Sequence, residues 1–310
     1  LIVHPNTLTK KIKLKYKGYN EIYLKNESLI ISTSVNEILE LKPFSYQVIN
    51  GDTIEVMSNF KLNNNILMFD FPNGYDKNHT LIIDPTLIFS TYSGSTADNF
   101  GYTATYDNDG FLYSGSTVFG IGYPTTSGAY QINYSNNMGG TDIGITKYDT
   151  SGTSRIYSTY LGGSMDELPH SMIVNNLNEL FVFGTTGSDD FPTTPGCYND
   201  TFSGGSGFSP SGLGVSFPNG SDIIVSRISS NGGVLLSSTY LGGTGNDGLN
   251  TSQKLKRNYA DEVRGEIDID KNNNVYLATC TYSTDFPITN SFQKTHNGQQ
   301  EGCVLKLDNQ

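Results

Sequence analysis

The chain has 310 residues and a formal net charge of −11, from 19 Lys and Arg against 30 Asp and Glu. This balance argues against nucleic-acid binding, because neutralising phosphate groups requires a basic surface. The 34 Gly, 20 Tyr and 16 Phe, with only 16% charged residues, predict an ordered, turn-rich, all-β protein. No apolar run reaches the roughly 18 residues that a membrane-spanning helix needs, so we expect no membrane span.

Residues 1–86 form the first predicted domain. Apolar and polar residues alternate over residues 12–84, with turn residues at Asn50-Gly51, Asn63–Asn65 and Asn73-Gly74. A period of two residues is typical of strands with one buried face. We therefore expect a small β-sandwich or β-meander domain. Because the chain opens without Met, we also expect it to be a piece of a longer protein.

Residues 87–310 contain three copies of one pattern. In each copy an acidic residue precedes a proline by 26 positions, in the pairs Asp98–Pro124, Asp166–Pro192 and Asp261–Pro287. A turn residue and a short apolar segment lie between the acid and the proline. A later segment carries an acid five residues before a Lys or Arg, as in SDIIVSRIS, and STY segments such as YSTYLGGS introduce the copies.

These segments predict four short strands per copy, of which the last is borrowed from the STY segment that leads into the next copy. Four antiparallel strands repeated about every 70 to 80 residues are the signature of a β-propeller blade. We expect three blades, at residues 87–156, 157–237 and 238–310. Because closed propellers use about four to eight blades, we also expect further blades in the same protein.

Length variation between the copies is confined to two places. The gaps between the proline and the third strand are 18, 30 and 14 residues, and those between the STY tyrosine and the acid are 6, 6 and 21 residues. Loops tolerate insertions better than paired strands. Residues 201–220 and 245–260 are therefore predicted surface loops that carry the specificity of this protein.

The motifs YSTYLGGSMDE, DFPTTPGCYN and SDIIVSRI resemble the seven-bladed β-propeller repeat family of secreted bacterial proteins over residues 87–310. Residues 1–86, which lead into LIIDPTLIFSTY, resemble the later part of the domain that commonly precedes those repeats. The resemblance implies an exported protein of the bacterial outer surface. The composition of the chain, which is acidic and rich in Asn and Tyr, is similar to that of Bacteroidetes proteins that use type IX secretion and carry adhesion modules.

Acids at the start of each copy are the main candidates for chemistry. From the repeated interval, Asp98, Asp166-Glu167 and Asp261-Glu262 are predicted to occupy one equivalent position, immediately before the innermost strand of each blade. In a ring these carboxylates would line one end of the channel, where they could bind Ca²⁺ or accept hydrogen bonds from their own turns. Glycosidic cleavage needs two carboxylates, so Asp166, Glu167, Asp261 and Glu262 are the candidate acid and base of a hydrolase or lyase.

Four further groups of residues are weaker candidates. The turn acids Asp107, Asp109, Asp268 and Asp270 are a second calcium candidate. Tyrosines on the predicted face loops could stack on sugars or anchor a protein partner, namely Tyr123, Tyr130, Tyr134, Tyr198 and Tyr282. His170 follows Asp166-Glu167 and could form a His–acid dyad. Cys280 and Cys303 could form a disulfide if their strands are adjacent.

We expect a non-enzymatic binding or adhesion module, secreted or held at the cell surface, whose variable loops contact an extracellular protein or a glycan. No nucleophile elbow, zinc motif or phosphate-binding loop is present in the sequence, and we expect no cofactor other than Ca²⁺. Two alternatives stay open. One is a polysaccharide hydrolase or lyase that uses the repeated carboxylates, and the other is a structural spacer of a surface fibre.

Overall fold

The structure is a computed structural model that describes residues 1–34, 37–84, 89–136, 140–209, 214–252 and 261–309. Strands make up 42% of it, and the helical content of these ranges is one turn of 3-10 helix at Thr9–Lys11. The all-β prediction is therefore confirmed. The chain divides into two compact units, Leu1–Ile88 and Phe89–Gln310.

The first unit has three antiparallel sheets in its described residues. Its strands are β1 (Ile2–Val3), β2 (Glu21–Lys25), β3 (Ser28–Ser32), β4 (Glu37–Glu40), β5 (Phe44–Ile49), β6 (Asp52–Glu55), β7 (Asn59–Asn63), β8 (Ile66–Asp70) and β9 (Leu81–Asp84). The sheet orders are β1-β9-β5-β6, β2-β3-β4 and β7-β8. Positive φ angles at Asn50-Gly51 and at Asn64-Asn65 join β5 to β6 and β7 to β8, as two-residue hairpin turns require.

The second unit contains one antiparallel sheet for each repeat. The first repeat sheet is β10 (Asn99–Tyr106), β11 (Leu112–Val118), β12 (Asp142–Tyr148) and β13 (Arg155–Leu161). The second is β14 (Glu167–Val174), β15 (Leu180–Thr186), β16 (Asp222–Ile228) and β17 (Leu235–Leu241), and the third is β18 (Glu266–Ile269), β19 (Val275–Thr281) and β20 (Glu301–Leu307). In each sheet the strands pair in chain order. The predicted four-stranded antiparallel sheets are thus present in the first two repeats.

The STY segments close the sheets of the preceding repeats. β13 contains Tyr160 and β17 contains Tyr240, and both tyrosines are buried against their own sheets. The first two sheets therefore end at residues 161 and 241, whereas the predicted blade boundaries at 156/157 and 237/238 cut through β13 and β17. The reason is that the apolar surface of each tyrosine is removed from water only on the earlier sheet.

The repeat sheets pack face to face in sequence. The cluster between the first and second sheets includes Tyr113, Ile143, Ile145, Met172, Val182 and Ile224, and the cluster between the second and third includes Phe183, Ile223, Val225, Ile267, Leu277 and Leu305. The first strands lie next to one another, because β14 contacts both β10 and β18. Each sheet therefore stabilises the next through alternate side chains of its central strands.

A repeated turn holds the hairpin between the first two strands of each sheet. The Oδ1 atoms of Asp107, Asn175 and Asp270 accept the backbone N–H groups two and four residues later, at 2.8–3.1 Å. Asp107 also forms a buried ion pair, with Lys147 Nζ 2.9 Å from its Oδ2. The turn and the third strand are thereby joined at the far end of the first sheet.

Lys147→Met tests how much this ion pair stabilises the first sheet. The substitution leaves the buried carboxylate of Asp107 without its countercharge, so we expect the free energy of unfolding to fall by about 3 kcal/mol. Urea unfolding measures the change. Lys306 stands at the same register position of the third sheet but is exposed. Lys306→Met should therefore change the stability by less than about 0.5 kcal/mol, and equal effects of the two substitutions would contradict the assignment.

Candidate functional site

Two buried carboxylates converge on a glycine where the first and second repeat sheets meet. Asp142 begins β12, Glu167 begins β14, and both side chains are fully buried. A Cβ atom on Gly162, in the STYLGG motif, would lie 2.6 Å from Glu167 Oε2 and 2.8 Å from Asp142 Oδ1. Glycine is required here because any side chain would collide with both carboxylates.

Each carboxylate oxygen of the two acids accepts a hydrogen bond from the protein, except one oxygen of Asp142. Glu167 Oε1 accepts hydrogen bonds from Thr186 Oγ1 at 2.6 Å and Ser188 Oγ at 2.5 Å, and its Oε2 accepts the Gly163 N–H at 3.0 Å. Asp142 Oδ2 accepts the Ser135 N–H at 2.8 Å. Asp142 Oδ1, which faces Gly162, has no hydrogen-bond partner.

The junction between the second and third sheets repeats this arrangement. A Cβ on Gly242 would lie 2.6 Å from Asp222 Oδ1 and 2.8 Å from Asp247 Oδ2. Asp247 Oδ2 accepts the Gly243 N–H at 2.9 Å and Ser283 Oγ at 2.7 Å. The third-strand acid of one repeat and the first-strand acid of the next therefore form a pair at both junctions, and we call these the junction pairs Asp142/Glu167 and Asp222/Asp247.

Burial favours the protonated form of the junction acids. It raises the pKa of Asp142 and of Asp222 to about 7, and backbone N–H donors offset part of this effect. The nearby charges of Asp166 and Asp190 raise the pKa of Asp142 further. Burial also raises the pKa of Glu167 well above its usual range and raises that of Asp247. A proton on Asp142 removes the charge from a carboxyl group of which one oxygen has no hydrogen-bond donor, and so lowers the cost of burying it.

Asp261-Glu262 does not occupy the position of Asp166-Glu167, contrary to the sequence-based prediction. The carbonyl oxygens of Asp98, Asp166 and Asn246 each accept, at 2.9 Å, the N–H of the residue that directly follows the second strand. Asn246-Asp247 is therefore the equivalent of Asp166-Glu167. The extra residues of the third repeat come after this pair, rather than before it.

The insertion enters at a bulge of the first strand. β10 and β14 each skip one residue in their pairing, at Tyr102 and His170. In the third repeat Asp247 bridges Thr281, and regular pairing resumes only at Glu266 opposite Ala278. Residues 249–265 thus stand where the second repeat has Pro169 and His170. The acid at the end of this insertion produced the apparent 26-residue interval.

Asp261 and Glu262 instead lie at the base of the insertion, where its two ends are hydrogen-bonded to each other. The Asn250 backbone N–H donates to Glu262 O at 2.7 Å, and its Nδ2 donates to Asp261 O at 3.2 Å. Asp261 Oδ1 accepts a hydrogen bond from Arg264 at 2.9 Å. Of the proposed acid–base set, Glu167 therefore belongs to a junction pair and Asp166 is its neighbour in the chain, whereas Asp261 and Glu262 lie at the base of the insertion.

Asp166 accepts hydrogen bonds from the long loop of the second repeat and from the residue before β12, rather than from its own turn. Its carboxylate accepts the backbone N–H groups of Thr141, which precedes β12, and of Ser216, in the long loop of the second repeat. Asn136 Nδ2 also donates to it at 3.1 Å. The expectation that such acids bind backbone amides is right for Asp166, but the amides belong to the neighbouring sheet and to a distant loop.

The second calcium candidate uses its oxygens in other contacts. Asp107 pairs with Lys147, Asp109 Oδ2 accepts Asn178 Nδ2 at 3.1 Å, and Asp270 Oδ2 accepts Asn274 Nδ2 at 2.7 Å. Asp268 Oδ1 accepts the N–H of the next residue at 2.8 Å. Within the described ranges no three His, Cys, Asp or Glu side chains are arranged to hold a metal ion. Calcium binding stays a prediction from the sequence.

The candidate tyrosines differ in exposure. Tyr198 is 64% exposed, Tyr130, Tyr134 and Tyr282 are half-buried, and Tyr123 is only 4% exposed. The prediction of an exposed Tyr123 is wrong because this residue takes the position of the Phe in the Asp-Phe-Pro motif and packs on its own sheet. Its hydroxyl lies 2.7 Å from Thr146 Oγ1.

His170 is a core residue rather than part of a dyad. Its Nε2 lies 2.8 Å from Thr185 Oγ1, and its ring packs on Phe183 with the centroids 4.6 Å apart. Burial lowers the pKa of His170 to about 3. A neutral, enclosed imidazole with a hydroxyl partner is not positioned for acid–base work on an external substrate.

Cys280 and Cys303 are free thiols, as is Cys197. β19 and β20 are adjacent, but Cys303 pairs with Thr279 and Cys280 pairs with Gly302. Neighbouring residues of a strand point to opposite faces, so the two sulfur atoms lie on opposite sides of the sheet. A disulfide cannot form across that separation.

Three of the junction acids were not indicated as site residues by the sequence pattern. Asp142 and Asp222 belong to the repeated acid five residues before Lys or Arg, which indicated a strand but not a site. Asp247 follows the STY tyrosine by seven residues, as Glu167 does, and this spacing was the available signal. The longer interval to Asp261 concealed it.

The fold and these junctions define an all-β protein with serially packed, antiparallel repeat sheets. A family described as a domain of unknown function (DUF7948) matches residues 1–86. No curated protein matches the chain. In the described residues no helix has the length and apolar character needed to cross a membrane.

Asp142→Asn tests the protonation of the first junction pair. Because the folded pKa of Asp142 is about 7 and its ordinary value is 3.8, folding binds this proton, and the resulting stability is lost as the pH rises through that window. The neutral amide avoids this loss. We therefore expect the free energy of unfolding of the variant, relative to that of the parent, to increase by about 1 kcal/mol or more as the pH rises from 5 to 8.

Urea unfolding of both proteins across this pH range gives the result. Asp149→Asn is the matched control, because Asp149 lies in an exposed turn and hydrogen bonds hold its pKa below the usual range. The difference between this control and the parent should not change with pH over the same interval. A pH-independent difference for Asp142→Asn would contradict the proposed proton.

Proposed function

We propose that the chain is a non-enzymatic binding module, secreted or held at the bacterial cell surface, in which propeller blades form a rigid frame for variable loops. The serial packing of the repeat sheets and the adjacency of β10, β14 and β18 support a blade arrangement around one axis. The resemblance of residues 87–310 to exported propeller repeats supports the location. The proposed partner is an extracellular protein or a glycan.

The repeated carboxylates favour a structural role over a catalytic one. The junction acids Asp142, Glu167, Asp222 and Asp247 are fully buried, and most of their oxygens accept hydrogen bonds from the protein itself. A general acid or base has to reach a proton of the substrate. Fully enclosed carboxylates that support neighbouring sheets do not meet this condition.

The proposal depends mainly on a contact between the two variable segments, the long loop of the second repeat and the insertion of the third. Val215 and Phe217 come from the long loop of the second repeat, and Leu249 and Val263 from the insertion of the third. All four are buried together with Leu168, at the start of β14. We call them the loop cluster. Segments that differ between repeats, yet pack together on a common frame, are typical of binding surfaces.

The long loop is anchored at both of its ends. The Ser203 and Gly204 N–H groups bind the Asp222 carboxylate, and Gly205 N–H donates to Asn219 O at 2.8 Å. Phe208 and Phe217 form a bridge within it. Some residues of the predicted contact loops 201–220 and 245–260 thus belong to the core. Residues 210–213 and 253–260 of these loops lie outside the described residues.

A double loop exchange tests the proposal within the same chain. The first repeat has only Asn137-Met-Gly139 where the second has residues 205–219, and the second has only Pro169-His170 where the third has residues 249–265. Replacing the long segments with the short ones keeps the flanking strands and the Asp222 anchor. We expect the exchange to abolish binding to glycan arrays and to a panel of extracellular proteins, while the β-sheet circular dichroism signal stays.

The matched control exchanges the six-residue turn Asp149–Ser154 for Ser229–Val234, which lies at the other end of the sheets. This control should bind like the parent. Binding by the double exchange at the parent's level would refute the proposal. Cleavage of a polysaccharide by the parent would favour the hydrolase, and a parent that binds nothing on either panel would favour a structural spacer.

A further inference from the structure

A cluster of lysines lies in the first unit, at the end of the 3-10 turn and in the segment that follows it. Five of the 19 basic residues of the chain fall within residues 10–17, which read KKIKLKYK. All five are exposed, and we call them the lysine row, namely Lys10, Lys11, Lys13, Lys15 and Lys17. This one short segment therefore presents a large share of the positive charge of the chain.

The residues between these lysines hold the segment on the core of the unit. Ile12, Leu14 and Tyr16 are half-buried and pack against the two apolar clusters of the first unit. Leu14 and Leu67 exchange both backbone hydrogen bonds at 2.9 Å, and Tyr16 OH donates to Glu40 Oε1 at 2.7 Å. Neighbouring residues of an extended segment point to opposite sides, so the intervening lysines point away from the core, roughly 7 Å apart.

Lys61 widens this basic surface across the neighbouring hairpin. Met68 lies opposite Lys61 in the β7–β8 pair, and it directly follows Leu67, the residue that bridges Leu14. Leu67 is buried, so Met68 and Lys61 lie on the other side of the hairpin, which is also the side of the lysine row. The basic surface therefore spans two strands, with half-buried Met68 between the lysines.

The charges of the lysine row are not neutralised within the described part of the chain. The ion pairs found there involve other residues, and that of the first unit between a lysine and an acid joins Lys42 to Glu27. Asp70 is the one acid of β7 and β8. Like charges placed close together repel one another, and an anionic partner that binds along the row would remove this repulsion.

The geometry of the lysine row favours a linear partner over a membrane or a small anion. A membrane-bound segment presents its apolar side to lipid, but the apolar side of residues 12–16 is already packed in the unit. A small anion requires donors that converge on one point. The row instead spreads its charges along an extended segment, over roughly 20 Å.

The side chains around the row favour a polymer without bases. Proteins that bind single-stranded nucleic acids stack the bases on aromatic rings and on Arg. The ring of Tyr16 packs in the core, and residues 1–86 contain nine Lys but no Arg. The ammonium group of Lys is a point charge on a flexible stem, so it adapts to carboxylate or sulfate groups in many orientations.

We propose that the lysine row, together with Lys61, binds a linear acidic polysaccharide, a polymer that carries carboxylate or sulfate groups along its length. The ammonium groups bind successive anionic groups of the polymer and displace its counterions. The site lies in the first unit and uses no residue of the loop cluster. It is therefore a second binding site, independent of the function proposed for the repeat sheets.

Calorimetric titration of the full chain with two acidic polymers, dextran sulfate and polygalacturonate, tests the proposal. Dextran and methyl-esterified polygalacturonate are the matched ligands, because they have the same backbones without the charges. We expect the chain to bind both acidic polymers and neither uncharged one. Because binding displaces counterions, the affinity for dextran sulfate should fall about 100-fold as the salt concentration rises from about 50 to 200 mM.

The double variant Lys13→Gln with Lys15→Gln removes two charges from the centre of the row. We expect it to bind both acidic polymers about tenfold more weakly or worse, with a flatter salt dependence. Lys25→Gln with Lys77→Gln is the matched control, since it removes the same charge from exposed positions of the same unit, and it should bind like the parent. All four lysines are exposed, so neither variant should change the melting temperature.

Three results would overturn the proposal. They are a parent that binds neither acidic polymer, equal weakening by the two double variants, and tighter binding to an oligonucleotide or to phosphatidylglycerol vesicles than to either polysaccharide at the same salt concentration. The double loop exchange keeps the lysine row and should bind the acidic polymers like the parent. Glycan arrays that test the loop cluster are read in about 1 M salt, where the Debye length of roughly 3 Å screens the row.

Discussion

The packing of one repeat sheet on the next depends on carboxylates that are buried at the junction between the two sheets. Burying such a group is costly unless donors surround it. At the first junction the donors for Glu167 are the Gly163 N–H and the hydroxyls of Thr186 and Ser188. Because these donors belong to β15, to the turn after it and to the STYLGG motif, the acid fixes how one sheet leads into the next.

The same bonds connect the frame to the surface that we propose for recognition. Asp222 and Asp166 both hold backbone amides of the long loop, and Asp166 also holds the residue before β12. The conformation of the loop is therefore held by two buried acids, the junction acid Asp222 and Asp166, which directly precedes β14. A loop held in this way loses little conformational entropy when a partner binds, which is how a rigid scaffold gains affinity.

The amino-acid sequence was sufficient for the elements that depend on local pattern. The alternating segments, the Asn-Gly turns and the Asx turns at Asp107 and Asp270 follow from the preferences of a few adjacent residues. The junction pairs could not be foreseen in this way, because Asp142 and Glu167 lie 25 residues apart and meet only after two sheets have packed. Equal spacing also misled at Asp261, where an insertion happened to restore the interval.

Burial was the other property that pattern alone did not reveal. Tyr123 and His170 both looked like loop residues, yet both side chains are enclosed by their own sheets. A tyrosine that replaces the Phe of the Asp-Phe-Pro motif keeps its ring in the same apolar site and adds one hydroxyl contact. Whether such a residue faces solvent depends on the sheet beneath it, which the neighbouring sequence does not encode.

The bulge in the first strand of the first two repeats has a consequence for how these chains diversify. Pairing is already interrupted at Tyr102 and His170, so extra residues that enter there break no ladder hydrogen bond. The third repeat holds an insertion at this point while Asp247 and Glu266 keep their partners on β19. The bulge is therefore a permissive grafting point, where foreign peptides could be displayed and selected without redesign of the sheet.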